Sequence, residues 1–313
     1  GYALAGKGSV FTALMIVGLL YFAISCIIRV SGKAWINKLL PPVIVGPMIM
    51  VIGLSLAPTA ISEIGLDLPV IPLENLIVAL VAFLTTAFLA VRGKGILRVI
   101  PFLIGIIAGY IVAAALGMVD FSQTLAANVI EIPKFYLPFM HYDLNFAAIL
   151  TIVPIALVTI VEHIGDHKVL SEIIGRDLIE DPGLDRTLMG DGIATFCAAL
   201  LGGPANTTYG ENTSVVGMTR VASVYVIGLA AIIAIIFAFS GHLTALLTAI
   251  PAPVLGGISV LLYGFICVNG LKILIQNQVD FNNTKNVVVV ATMLVLGLGG
   301  ATLALAYGDL SLA

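Results

Sequence analysis

Three carboxylates stand where a strongly apolar chain has little reason to place them. Glu162 ends the run ILTIVPIALVTIVEHIGDH, Asp166 follows four residues later, and Glu211 sits in GGPANTTYGENTSVVGMTR. An acidic residue at the centre of a bilayer helix costs about 2.5–3.5 kcal/mol on insertion scales, so acids at such positions read as functional. Four-residue spacing puts Glu162 and Asp166 on one helical face. Two carboxylates on one face beside an apolar core do not both ionise easily, and one of them should hold a proton. That is the physical requirement for a proton-coupled site. The alternative is a solvated pair in the cytoplasmic headgroup layer, because Lys168 follows closely. His163 and His167 read as interfacial rather than catalytic.

The stretch around Glu211 is too polar for a lipid-facing helix. Asn206, Thr207 and Thr208 are poor helix formers, and Gly210 permits a backbone turn. The expectation is an extended segment leading into a half-helix from Glu211 to about Thr219. Irregular backbone at membrane depth is tolerated only where it is buried in protein or lines a cavity. Broken helices of this kind build the binding sites of secondary transporters. A plain extramembrane loop is the other reading. A ligand gripped by two carboxylates should offer N–H donors and carry no negative charge. Uracil fits, with two ring N–H groups and two carbonyls that could take backbone N–H groups near Gly210.

The elements that hold these groups follow from composition. Of the 313 residues, 60% are hydrophobic and 10% charged, with mean hydropathy +1.15. Soluble domains carry roughly 25% charged residues, so the surface of this chain is built for lipid. The net charge of −3 and the lack of a basic block point away from nucleic acid. Cys26, Cys197 and Cys267 lie far apart in apolar runs and form neither a disulfide framework nor a metal spacing. No H-E-x-x-H or G-x-S-x-G pattern suggests an enzyme, and nothing suggests the symmetric filter of a channel. No metal or cofactor is expected.

A bilayer core needs about 20 apolar residues per helix. Membrane segments are expected at 10–29, 39–58, 74–91, 97–117, 145–165, 187–201, 206–219, 221–240, 251–269 and 285–305, with 187–201 short and 206–219 polar. Cytoplasmic loops collect Lys and Arg. With the first loop placed on the cytoplasmic side, that side carries 12 of the 14 basic residues and the outer side only Lys7 and Lys134. A wrong span count would scramble this alternation, which also requires a crossing between residue 201 and Arg220.

Pro42-Val43, Gly46 and Gly53 match Pro253-Val254, Gly257 and Gly264 at a constant offset of 211 residues. The spans they open are seven apart. An odd separation means opposite orientation, the mark of an inverted-topology repeat; coincidence among common membrane residues is the plain alternative. Seven spans per repeat imply fourteen, and the expectation is that this sequence is a fragment, with three spans before Gly1 and one after Ala313.

The run Glu211-Asn212 through Thr219-Arg220 resembles the signature of the nucleobase–ascorbate transporter family. NTTYGEN, VEHIGDH, EDPGLDRTLMGDG and GGISVLLYG resemble its uracil-permease branch. The resemblance covers essentially the whole chain, from the fourth to the thirteenth span. It implies an all-α polytopic membrane protein of 14 spans, a 7+7 inverted repeat split into core and gate domains, with a short β-strand in the broken tenth span near Asn206–Tyr209. Core pieces would be 1–38 and 145–250, and gate pieces 39–117 and 251–313. Carried over by motif, Glu162 and Glu211 would hydrogen-bond the base, Gly210 would contribute backbone, and Tyr209 would pack nearby. Ser259 and Tyr263 would face the substrate from the gate side. Proton coupling would fall to Asp166, Glu162 and Glu211.

Two departures matter. The signature's glycine is Ser214 here, which bears on fine selectivity. Position 166 is Asp where some uracil–proton symporters carry His. The function implied is proton-coupled import of uracil across the bacterial cytoplasmic membrane. A xanthine or other purine carrier stays open, and so does an anion transporter of the same fold, although two site carboxylates would repel an anion. Implied partners are the nucleobase, protons and membrane lipid, with a homodimer among the assemblies allowed.

Overall fold

The structure, a computed structural model, describes residues 2–32, 35, 41–133, 135–137, 145–299, 305–307 and 310–312. In chain order the helices are α1 (Tyr2–Ser31), α2 (Pro42–Ser55), α3 (Ala57–Ile64), α4 (Leu73–Arg92), α5 (Ile96–Val99), α6 (Pro101–Ala115), α7 (Ser122–Ala126), α8 (Phe146–Ile152) and α9 (Ile155–Ile174). A π-helical turn at Ile179–Gly183 leads to α10 (Leu184–Leu200), α11 (Gly210–Thr219), α12 (Val224–Ala238), α13 (Gly241–Thr248), α14 (Ala252–Gln276) and α15 (Thr284–Leu298). A short antiparallel ribbon follows, β1 (Leu305–Tyr307) against β2 (Leu310–Leu312), with Ala306 opposite Ser311.

Each of the ten stretches expected to cross the membrane holds a helix; residues 39–40 and 300–304 of those stretches lie outside the described set. Five helical segments among the described residues are long and apolar enough to span a bilayer: Gly8–Ser31, Pro42–Ile64, Leu73–Arg92, Ala148–Ile174 and Ala252–Gln276. Three more, α6, α12 and α15, are apolar but shorter. Helix ends follow local chemistry. Gly65 and Gly175 end α3 and α9 in the left-handed conformation, φ 84° and 72°, which glycine adopts without a Cβ penalty. Side-chain oxygens of Asn145, Ser240 and Asn283 cap the starts of α8, α13 and α15.

The chain divides into two compact units. The first comprises Gly1–Val45, Lys134–Ala222 and Gly300–Ala313; the second comprises Gly46–Pro133 and Ser223–Gly299. In the first, α1 packs along α10. Their crossing is set by glycine: a Cβ on Gly18 would come within 2.7 Å of the Gly192 carbonyl, and one on Gly192 within 2.9 Å of the Gly18 carbonyl. Small residues at such crossings let backbones approach closely. Around this contact Tyr21, Ile24 and Ile28 of α1 meet Ile160 of α9 and Leu184 and Leu188 of α10.

In the second unit α4 packs on α6 and α14, and α14 on α3. Val78, Ala82, Ala113, Val254 and Ile258 form its core. The two stretches matched at the 211-residue offset touch each other: Gly46 of α2 abuts Gly270 of α14, and Gly53 abuts Tyr263 and Cys267. The contact advances along α2 as it retreats along α14, so the helices run antiparallel there. Adding the same offset to Leu73, the first residue of α4, gives Thr284, the first residue of α15.

Candidate functional site

The first unit gathers the chemistry. Helix α9 carries Glu162 and Asp166 on one face, as the spacing predicts, and both side chains are half-buried. After α10 ends at Leu200 the chain turns through Gly202 and runs extended from Gly203 to Tyr209. Only at Gly210 does helix resume, with Tyr209 still extended at φ −106°, ψ 123°. The break predicted between Asn206 and Thr219 is therefore present. Its extended half forms no strand pairing among the described residues, so the expected short β-strand is not seen there.

The extended half is held by side chains instead of a ladder. Thr195 of α10, fully buried, donates its hydroxyl to the Asn206 carbonyl at 3.2 Å and accepts the Asn206 N–H at 3.2 Å. One threonine thus satisfies both backbone groups of a residue that has no strand neighbour. Two residues on, the Thr208 hydroxyl lies 2.8 Å from His163 Nδ1 and donates to Asp191 Oδ2 at 3.3 Å. His163 Nδ1 is 2.7 Å from the same Asp191 oxygen, and Nε2 is 2.9 Å from the Thr187 hydroxyl. Asp191 and Thr187 are one turn apart on α10.

This corrects the reading of His163 as interfacial: it is 1% exposed, with partners on α10 and on the extended segment. His167 stacks on it at 4.0 Å and donates its Nδ1–H to the His163 carbonyl at 2.9 Å. Nearby, the Tyr21 hydroxyl of α1 bonds Thr159 of α9 and lies within electrostatic reach of Asp191 and Glu162. Sequence reasoning missed Asp191. The signal was available, since Asp191 falls inside the expected span 187–201, but the shortness of that span let the acid pass as a loop residue.

The other expected site residues divide as follows. Tyr209, exposed, precedes α11, and Gly210 and Glu211 open it. The side chains of Glu211 and Ser214 lie outside the described residues. The signature's closing pair, Thr219-Arg220, ends the same helix, with Arg220 in the left-handed conformation at φ 57° and its N–H on the Val216 carbonyl. Ser259 and Tyr263, half-buried, lie one turn apart on α14 in the second unit. No group of three or more His, Cys, Asp or Glu residues among the described residues has metal-binding geometry.

Comparison with known proteins gives one consistent answer. The model of the Permease family matches residues 3–305. The chain is similar to the uracil permease of Bacillus caldolyticus, 47% identical over 302 residues that cover 95% of this chain and 70% of that protein. It is similar to the uracil permease of Bacillus subtilis (strain 168) at 44%, covering 98% and 72%, and to that of Escherichia coli (strain K12) at 37%, covering 99% and 71%. Among solved structures, the transmembrane domain of a cyanobacterium bicarbonate transporter, BicA, matches with a TM-score of 0.62 at 16% identity, covering 95% of this chain and 77% of that one. At that identity the likeness speaks for fold alone.

Proposed function

This chain belongs to the Permease family, within the nucleobase–ascorbate transporters, and on that premise we propose that it imports uracil as a proton-coupled, multi-pass carrier of the cytoplasmic membrane. The observation that carries the substrate is the similarity to three uracil permeases over 95% or more of this chain. The site chemistry agrees. A half-buried glutamate on α9 and a run of extended backbone with no strand partner among the described residues offer acceptors and donors of the kind that a ring with alternating N–H and C=O groups needs.

In this reading Glu162 and Glu211 accept the ring N–H groups. Backbone at Gly210 meets a carbonyl, and Tyr209 packs beside the base. Ser259 and Tyr263 are the second unit's substrate contacts. Asp166 shares a helical face with Glu162 and helps set which carboxylate holds the transported proton. Residues 1–38 and 145–250 act as core and residues 39–117 and 251–313 as gate, within a fourteen-span, seven-plus-seven inverted repeat. Two facts support the repeat: the 211-residue offset takes Pro42 at the start of α2 to Pro253 in the first turn of α14 and the start of α4 to that of α15, and α2 packs antiparallel on α14.

The test is uptake of labelled uracil into proteoliposomes under a proton gradient, with and without an uncoupler, in competition with xanthine, thymine and 5-fluorouracil. Accumulation that the uncoupler abolishes and xanthine leaves untouched is expected. Xanthine uptake without uracil uptake would make the chain a purine carrier instead.

A further inference from the structure

The network around His163 has room for one proton that no carboxylate holds. The Asp191 carboxylate lies 2.7 Å from Nδ1. Beside an ionised Asp191 carboxylate, a bare Nδ1 would set lone pair against lone pair at that distance, so Nδ1 carries the hydrogen in that state. The state of Nε2 is then decided at Thr187, whose hydroxyl lies 2.9 Å from Nε2 and 3.2 Å from the Leu184 carbonyl. A hydroxyl has one hydrogen to give and lone pairs to receive with. When the ring is neutral, Thr187 donates to Nε2. When the ring is cationic, Nε2–H donates to the Thr187 oxygen, and the hydroxyl hydrogen turns to the Leu184 carbonyl. Both states leave both ring nitrogens and the Thr187 hydroxyl bonded, and both keep Nδ1–H on Asp191 and on Thr208. They differ by one proton and one hydroxyl rotation.

We propose that His163 Nε2 is a buried proton-binding site, with Thr187 as its switch and Asp191 as its counter-ion. The proton comes from bulk solvent, and the His163–Asp191 pair changes from net −1 to neutral without releasing the extended segment. The other charged or titratable groups around His163 are identifiable. On its own helix are Glu162, Asp166 and His167, whose stacked ring would repel a second imidazolium. Tyr21 approaches from α1. Asp185 and Arg186 precede Thr187 on α10, and Glu180 and Asp181 lie in the turn before that helix; α11, which packs on α9, carries Glu211 and ends before Arg220 in the sequence.

This site deepens the uracil reading in one of its two tests and is independent of it in the other. The independent test is NMR of the purified protein with 15N-labelled histidine, the His163 signals assigned by their loss in His163→Gln. The expected result is an Nδ1–H neutral ring at high pH that gains a proton on Nε2 as the pH falls. A ring that stays neutral throughout, or a neutral tautomer protonated at Nε2 alone, overturns the proposal, and the wild-type protein suffices for either outcome.

The dependent test is uracil affinity against pH. Thr187→Val removes the switch, so Nε2–H has no acceptor, and the pH step in affinity should be lost. Thr187→Ser restores the hydroxyl and should restore the step. A purely structural role for Thr187 would lower stability in the valine variant and leave the shape of the profile unchanged; that result, too, overturns the assignment. Absence of uracil binding in the wild type would count against the transport reading, with the NMR titration still deciding the proton site.

Discussion

The two units bury different things. Of the seven polar residues buried among the described residues, six (Ser9, Thr12, Ser25, His163, Thr195 and Thr213) belong to the first unit, and only Thr86 belongs to the second. The second unit relies on close glycine packing, Gly257 against Ala79 backbone, Gly53 against Cys267 backbone and Gly109 against the Val254 side chain, as the first also does at Gly18 and Gly192. A buried hydrogen bond has direction and fails when its partner is misplaced, so buried polar networks specify one arrangement. A glycine contact has shape but no donor or acceptor. The chemistry should therefore be fragile to polar substitution in the first unit and to added volume in the second.

The largest expected effect is on the first side of that contrast. Glu162→Gln and Glu211→Gln should each weaken uracil binding by about 1.5–3 kcal/mol, the worth of a hydrogen bond to a charged group, which is roughly tenfold or more in Kd. Calorimetry on folded protein checks this, and unchanged affinity in both variants would break the comparison at its root. Next comes volume in the second unit. A Cβ on Gly257 would lie within 2.9 Å of the Ala79 Cα, and overpacking of this kind costs about 1–3 kcal/mol. Gly257→Ala should lower thermal stability while the folded fraction keeps its uracil affinity.

Two threonines sharpen the comparison, since both are fully buried. Thr195 bonds across the chain break to Asn206, whereas Thr86 bonds the Ala82 carbonyl one turn back in its own helix. Thr195→Val leaves an amide and a carbonyl unmet and should cost about 1–3 kcal/mol, seen also as faster hydrogen exchange at Asn206. Thr86→Val removes a bond that helices do without and should cost no more than about 0.5 kcal/mol. The smallest effect on binding belongs to Asp166→Asn. Affinity should survive, while the pH dependence of uptake flattens and accumulation falls. A wild-type uptake profile in that variant would move the coupling role to Glu162 or Glu211.

What was legible in the sequence was local. Apolar length places the spans. The polarity of Asn206, Thr207 and Thr208 before Gly210 places the break, because the same few residues both refuse helix and resume it. The His163 network was not legible, since its partners Thr187, Asp191 and Thr208 lie 24, 28 and 45 residues away and no short pattern joins them. His163 also follows Glu162 directly, and adjacent residues on a helix point about 100° apart. Reasoning that followed the Glu162–Asp166 face could not see what its neighbour met on another.

Helix α12 has no buried residue, and Val224, Tyr225 and Ile235 are broadly exposed along it. A helix that is apolar all round is suited to a membrane interior. Its 15 residues rise about 22 Å at 1.5 Å each, against a hydrocarbon layer of about 30 Å. Such a mismatch is met by local thinning of the bilayer, at a cost of fractions of a kcal/mol per ångström. Wherever acyl chains meet this helix, lipids with shorter tails match its length and lipids with longer tails must thin to do so.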